Sequence, residues 1–382
     1  MANIQQIGDA YKLTVSLGYD INGKQIRKTT TFHVPKGTAP TKAKKLAEKA
    51  FFEFEQKCKG ITTLNENMRF SELFDWYISN YANTELKEVT VFNYDKTAKK
   101  HVIPVFGNYK LKDITTPKIT EFYKTLVQLT SERPALKTIT VKKIHTILSS
   151  VFHCAVKQGF VENNPCKNAI RPRIEYHEKL FLNEEQAKHL MEVTEDYSIF
   201  NIIVRTLLYT GMRKGECLAL RWEDIDFENN LINVCNTLSY ANGKRFLSEP
   251  KTKKSRRSIK ISDNVVDMLI HHKIVEEKRI IKLGTQFLHP EMVFTTELGN
   301  YLDASYFNKI FKEFVSENGL PPITTHDLRH CNATLLINAG IPLKIVSEHL
   351  GHCGVEITAN VYSHVLDKSK EKVMQALDIA LG

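Results

Sequence analysis

The hydrophobic period of this chain changes along its length, and that change constrains the fold more than any other feature. Tyr11-Lys-Leu-Thr-Val-Ser-Leu17 alternates with period two, as a half-buried strand does. Asn22-Gly23 supplies a hairpin turn, and Gln25 to Val34 reads as the return strands. From Thr41 to Gln56 the period becomes helical, with Leu46, Ala50 and Phe54 recurring every four residues. The period-two pattern then gives way to helix for a long stretch. The expected fold is multidomain and mainly α, opening with a small three-stranded sheet plus helix in residues 1–60.

Cys58 to Asn67 has no apolar period and reads as a linker. Residues 68–166 read as a bundle of about four helices. Leu73, Phe74, Tyr77, Ile78 and Tyr81 form one stripe, and Val89 to Val105 holds a second helix. Thr116 caps a third, with Pro117 at its first position. Val141, Ile144, Leu148, Val151 and Ala155 mark a fourth, which Gly159 ends. Asn163-Asn-Pro165 and Arg171-Pro-Arg173 read as an extended boundary.

The third unit, residues 178–382, reads as α-rich with a small antiparallel sheet. Asn183 and Gln186 are spaced as a capping box. Ile199 to Tyr209 is almost wholly apolar, hence a buried helix, and it stops at Thr210-Gly211. Phe227 to Val234 and Arg245 to Leu247 read as strands, with Asn242-Gly243 as a turn between them. Lys251 to Arg257 is a basic tip before the strand Ser258–Ile261, and helices resume near Asp263.

The net charge of +10 favours a polyanionic partner, nucleic acid before a membrane surface. Residues 1–60 hold eleven Lys or Arg against five Asp or Glu, so much of that excess is at the N-terminus. A β-ribbon with a basic face fits a major groove, though the same charge also suits a solubilising module. Lys24, Arg27 and Lys28 in this module, Lys96, Lys99 and Lys100 in the bundle, and Arg256 and Arg257 in the tip are the candidate DNA contacts. No apolar run approaches membrane-helix length, and Met1-Ala-Asn-Ile-Gln-Gln6 lacks the features of a signal peptide. Seven cysteines without a Cys-x-x-Cys pair suit reduced thiols and a cytoplasmic home.

The residues that carry chemistry are dispersed. Arg213 sits in a Gly-bounded turn at a helix start, Lys251 in the basic tip, and His326-Asp-Leu-Arg329 at a helix N-terminus. His352 comes ten residues before Tyr362. Together they suit attack on a phosphodiester. Two arginines can clamp the non-bridging oxygens with always-charged planar forks. A lysine can protonate the leaving oxygen, and histidines can move protons or bind phosphate. Tyr362 supplies a nucleophile, and no metal or cofactor is called for. A zinc reading of His326, His330, Cys331, His349, His352 and Cys353 is weakened by Arg329 within the same turn.

In combination these residues resemble the tyrosine recombinases, the integrase family of phages and conjugative transposons. The matching segments are Thr210-Gly-Met-Arg213-Lys-Gly-Glu216, Glu249-Pro-Lys251-Thr, Ser255-Arg-Arg-Ser-Ile-Lys-Ile261, His326-Asp-Leu-Arg329-His330, Leu350-Gly-His352 and Tyr362-Ser-His364. The resemblance implies an arm-site DNA-binding domain in 1–60, a core-site DNA-binding bundle in 68–166 and a catalytic domain in 178–382. It implies that Arg213 and Arg329 bind the scissile phosphate, that Lys251 protonates the leaving 5′ hydroxyl, and that His326 and His352 assist. Tyr362 would form a 3′-phosphotyrosyl link, Glu216 would brace Arg213, and His330 would stand behind the site. Integration and excision of a mobile element in a bacterial host follow, by a homo-tetramer on double-stranded DNA with an excisionase-type directionality factor. The tail carrying Val373, Leu377 and Leu381 reads as an amphipathic helix, which the resemblance would dock on a neighbouring protomer, its own domain being the alternative. Type IB topoisomerase-like relaxation, or a DNA-binding regulator with vestigial residues, is the alternative.

Overall fold

The computed structural model describes residues 3–8, 10–19, 25–35, 38–58, 67–129, 134–173, 182–250, 255–351 and 354. Lys24, Lys251, His352, Tyr362 and the tail after it lie outside the described residues, as does the Asn22-Gly23 turn. The chain divides into two compact units, residues 1–176 and 177–382.

The N-terminal module is an antiparallel sheet of β1 (Asn3–Ile7), β2 (Ala10–Tyr19) and β3 (Gln25–His33), with helix α1 (Pro40–Cys58). Period two sends Tyr11, Leu13 and Val15 to one face, where they pack with Ala43, Ala47 and Phe51 of α1. The helical stripe differs from the expectation. Leu46, Ala50 and Phe54 are half-buried and flank the true contact line, which runs through the smaller Ala43 and Ala47. The buried line thus opens with two small residues and ends on Phe51, which is why side-chain size did not reveal it.

The bundle consists of α2 (Phe70–Tyr77), α3 (Asn83–Glu85), α4 (Glu88–His101), α5 (Ile103–Phe106), α6 (Thr116–Val127) and α7 (Thr138–Lys157). A π-helical turn, Ile78–Ala82, joins α2 to α3. Its core holds Leu73, Phe74 and Tyr77 of α2, Ile119, Phe122 and Leu126 of α6, and Val141, Ile144, Leu148, Val151 and Ala155 of α7. The α6 cap is Thr115 rather than Thr116, whose hydroxyl instead donates to the Pro165 carbonyl at 2.8 Å. The Asn163–Pro165 stretch is not a free linker. The Asn164 amide donates to the Ser149 carbonyl at 3.0 Å, and Cys166 and Ala169 are buried in the bundle core.

The third unit opens with α8 (Glu184–Val193), capped reciprocally by Asn183 and Gln186 at 2.8 and 3.0 Å. The buried helix α9 (Ile199–Thr210) and the single turn α10 (Lys214–Cys217) follow. The expected strand Phe227–Val234 is in fact a hairpin, β4 (Ile225–Asp226) against β5 (Leu231–Val234). The Asp226 carboxylate accepts from the backbone of Glu228 and Asn229, and Asn230 turns through φ 52°, which ends the run. β6 (Thr237–Ala241) and β7 (Lys244–Ser248) pair across Asn242-Gly243, both at positive φ. β8 (Arg257–Lys260) pairs with β5, giving the order β4-β5-β8. Helices α11 (Asp263–Leu283), α12 (Ala304–Glu317), α13 (Asp327–Asn338) and α14 (Leu343–Leu350) complete the unit. No described helix is long and apolar enough to cross a membrane.

The α1 register is testable. Ala47→Asp places an unpaired carboxylate in the module's core and is expected to expose β1–β3 to limited proteolysis. Leu46→Asp, on the flank, is expected to leave the cleavage pattern near wild type.

Candidate active site

The site is built from helix ends. The apolar face of α9 buries Ile202, Ile203, Leu207 and Leu208 and stops at Gly211, which adopts φ +59°. A Cβ there would stand 2.7 Å from both Asn332 Oδ1 and a Leu350 methyl, so glycine is required by conformation and by space. The turn delivers Arg213 to the start of α10, with its side chain 39% exposed.

Glu216, one turn on, is 3% exposed. It accepts from the Arg213 amide at 3.0 Å and from Arg213 Nη1 at 2.6 Å. Its other cation is Arg257, whose Nη2 donates to Oε2 at 3.1 Å. Burial alone would raise the Glu216 pKa, but Arg257 and the bonds from Arg213 outweigh it and hold the carboxyl below its ordinary value.

Arg329 lies in the first turn of α13 and is 2% exposed. Its Nη1 donates to the Gly211 carbonyl at 2.7 Å and its Nη2 to the Leu350 carbonyl at 2.5 Å. One guanidinium therefore ties the C-terminal ends of α9 and α14, where helix carbonyls concentrate negative partial charge. Asn332, one turn further on α13, donates to the carbonyls of Leu208 and Tyr209 at 2.9 and 3.1 Å.

His326 caps α13 and is exposed, and its ring meets that of buried His330 edge-on at 5.0 Å. The cap is held by Asp327, which accepts from the Thr324 amide and hydroxyl at 2.8 and 2.7 Å. Asn308 on α12 joins this corner to α10. Its Oδ1 accepts from Lys214 Nζ at 2.6 Å and from the Thr325 hydroxyl at 2.9 Å. The segments bearing Arg213 and His326 are thus tied through residues adjacent to each. His349 on α14 has its Nε2 buried with no hydrogen-bond partner among the described residues. Burial, then Arg257 and Arg329, push its pKa down to about 4, so the ring is neutral at neutral pH.

Arg213, Glu216, His326, Arg329 and His330 therefore belong to one interlocked region, while Lys251, His352 and Tyr362 fall outside the described residues. Pro250 and Ser255 flank the first gap, and Gly351 immediately precedes the second. Arg257 is a correction. The expectation placed it on the surface, but its side chain is 7% exposed and its guanidinium faces Glu216. Arg256 does face solvent, pairing with Glu249 at 2.8 Å. Ser255 is buried, so the described end of the basic tip is only partly a charged surface. In the N-terminal module, Arg27 pairs in register with Ser16 and shares the face opposite α1, whereas Lys28 pairs with Val15 and points the other way. Lys96, Lys99 and Lys100 are exposed on α4, with Lys99 bound to Asp95 at 2.9 Å. Asn308 and Asn332 help build this region and lie outside every motif segment, while Lys214 and Arg257 lie within such segments without having been read as structural. For Arg257 a signal existed, since it is in phase with Ile259 and Ile261 on a strand whose alternate residues face inward.

Comparison with known proteins agrees with this geometry. Residues 180–369 match the model of the phage integrase family, and residues 69–127 match that of the phage integrase N-terminal SAM-like domain. A tyrosine recombinase XerC-like protein of Caldanaerobacter subterraneus subsp. tengcongensis is 30% identical, with 96% of this chain and 95% of the relative covered. The ICEBs1 integrase of Bacillus subtilis is 29% identical, with 96% of each covered. Among solved structures, the Tn1549 transposon integrase in complex with transposon right end DNA shares the fold. Its TM-score is 0.65 at 21% identity, over 81% of this chain and all of that one. The chain belongs to the phage integrase family, the tyrosine recombinases. It is an enzyme that cleaves and rejoins DNA strands, and its function is site-specific recombination.

Two titrations separate the roles of Glu216 and His349. The depressed Glu216 pKa stabilises the fold above 4.5, and that contribution is lost as pH falls through its folded value. His349 is depressed from 6.5 to about 4, so the unfolded chain takes up a proton that the folded one excludes, and stability falls as pH drops through that window. Melting temperature against pH is expected to lose slope between 6.5 and about 4 in His349→Gln, and below 4.5 in Glu216→Gln.

Proposed function

We propose that this recombinase integrates and excises a mobile element, a conjugative transposon or prophage, through a 3′-phosphotyrosyl intermediate. The observation that carries the mechanism is the arginine arrangement. Arg329 is fixed on the Gly211 carbonyl, two residues before Arg213, and Arg213 is fixed on Glu216. A phosphate presented at this corner meets guanidinium charge already held in place, so little reorganisation is needed as charge grows on its oxygens. Relatives called the ICEBs1 integrase and the transposase from transposon Tn916 support the mobile-element reading.

In this reading Arg213 and Arg329 hold the scissile phosphate and the Tyr362 oxygen attacks phosphorus. Lys251 gives its proton to the departing 5′ oxygen. His326 and His352 bind phosphate oxygen and move the tyrosine proton. Glu216 keeps Arg213 aimed, and His330 supports the His326 ring. The phosphotyrosine conserves the energy of the cut bond, so a 5′ hydroxyl from a second duplex reseals it without a nucleotide cofactor. Two cuts in each of two duplexes require four protomers, and a lambda integrase tetramer bound to a Holliday junction has been solved. The SAM-like bundle takes the core site, with Lys96, Lys99 and Lys100 toward the backbone. The N-terminal module takes arm sites, with Arg27 on its open sheet face. Arg256 lies at the exposed side of the tip, and an excisionase-type factor sets direction.

The decisive experiment uses a nicked duplex that traps the covalent adduct. Tyr362→Phe is expected to bind this DNA as the wild type does and to form no adduct; an adduct from the variant would remove Tyr362 from its role. Arg213→Ala is expected to slow adduct formation by on the order of 10²–10³-fold, as for loss of one preorganised charge donor. A rate near wild type would end its assignment to the phosphate clamp. Joining of two duplexes by the wild type, rather than relaxation of supercoils alone, separates recombination from topoisomerase activity.

A further inference from the structure

Arg257 serves none of the catalytic roles above, yet it is a buried charge with three partners in different segments. Its side chain is 7% exposed. Nη2 donates to Glu216 Oε2 at 3.1 Å, Nε to the His349 carbonyl at 2.7 Å, and Nη1 to the Ser255 carbonyl at 3.2 Å. Each partner belongs to a different segment of the site. Glu216 holds Arg213. Ser255 begins the described return from the tip that carries Lys251. His349 lies in the last turn of α14, and the next carbonyl, Leu350, is taken by Arg329.

The stem of Arg257 matters as well. Gly351 turns the chain at φ +70° immediately before His352, and a Cβ on it would stand 2.9 Å from Arg257 Cδ. The side chain therefore fills the floor of the turn from which the chain runs to His352. A side chain serving only to neutralise Glu216 would need one bond and no contact with α14. The planar fork sends donors outward from three separate nitrogens and so reaches a carboxylate and two carbonyls set around it, whereas an ammonium's three donors all leave from one atom.

We propose that Arg257 is a positioning residue of the recombination site. It fixes the end of α14, up to the Gly351 turn, against Glu216 and so against the Arg213 clamp. It acts on the cleavage step and not on DNA affinity. The proposal rests on the active-site reading above.

Arg257→Lys keeps the charge beside Glu216 and removes the fork, and Arg257→Met removes both. Each is measured for binding to a core-site duplex, for single-turnover adduct formation on its nicked form, and for amide hydrogen exchange along α14. Arg257→Lys is expected to bind DNA within about twofold of wild type and to form adduct about 10²-fold more slowly, the scale of an ångström-level misplacement. The amides of 347–351 should exchange faster, with the α9 and α11 amides unchanged. In Arg257→Met the acid limb of the rate–pH profile should also move upward, because Glu216 has lost one of its two cations. A passive core residue would leave that profile in place. Adduct formation within about threefold of wild type in both variants overturns the proposal, as does a rate loss matched by equal losses of DNA affinity and folded fraction. The exchange readout needs no catalysis. Wild-type protein that forms no adduct would sink the recombinase reading, while unchanged α14 exchange would sink this one.

Discussion

A single carboxylate, Glu216, organises the catalytic unit. It is almost wholly buried and lies between Arg213 and Arg257. Ions taken out of water are costly, and they persist only when their partners are close and their hydrogen-bonding capacity is used. Here both carboxylate oxygens are occupied, one by Arg213 Nη1 and the other by the Arg213 amide and Arg257. The arrangement is asymmetric in exposure. Arg257 faces inward and secures the fold, whereas Arg213 remains 39% exposed and can meet a ligand. One anion thus holds one cation turned inward and another left open to solvent.

The second organising element is the convergence of helix ends. The α9 and α14 carbonyl termini are held by Arg329, and α14 is held again by Arg257. Each of these ends passes through a left-handed glycine, Gly211 or Gly351. The α12 side chain Asn308 closes the remaining side by joining Lys214 to Thr325. Positive groups are therefore fixed before DNA arrives, and hydrogen bonds in such a network reinforce one another. This is the preorganisation that phosphoryl transfer by electrostatic stabilisation requires.

Much of this was legible in the sequence wherever local chemistry decides. The Asn183–Gln186 cap, the Asn242-Gly243 turn, the buried α9 and the position of His326 at a helix start all follow from short-range rules. What escaped depends on long-range packing. The α1 contact line runs through Ala43 and Ala47 before Phe51, which no hydrophobicity count reveals. Phe227 reads as strand by residue type, but the Asp226 side chain bends the backbone there. Arg257 sits in a run of basic residues and looks solvated, and only its phase with Ile259 says otherwise. Asn308 and Asn332 act on backbone and side-chain atoms more than a hundred residues away in some cases, and no motif spacing carries that information.

The central claim is that this fixed arginine frame serves a tyrosine that becomes covalently joined to DNA. Isolation of the adduct from a nicked core-site duplex, followed by proteolysis and mass spectrometry of the DNA-linked peptide, tests it directly. The account predicts one modified peptide, with a 3′-phosphoryl nucleotide on Tyr362. Linkage at any other residue, linkage through a 5′ phosphate, or cleavage with no covalent species would contradict it.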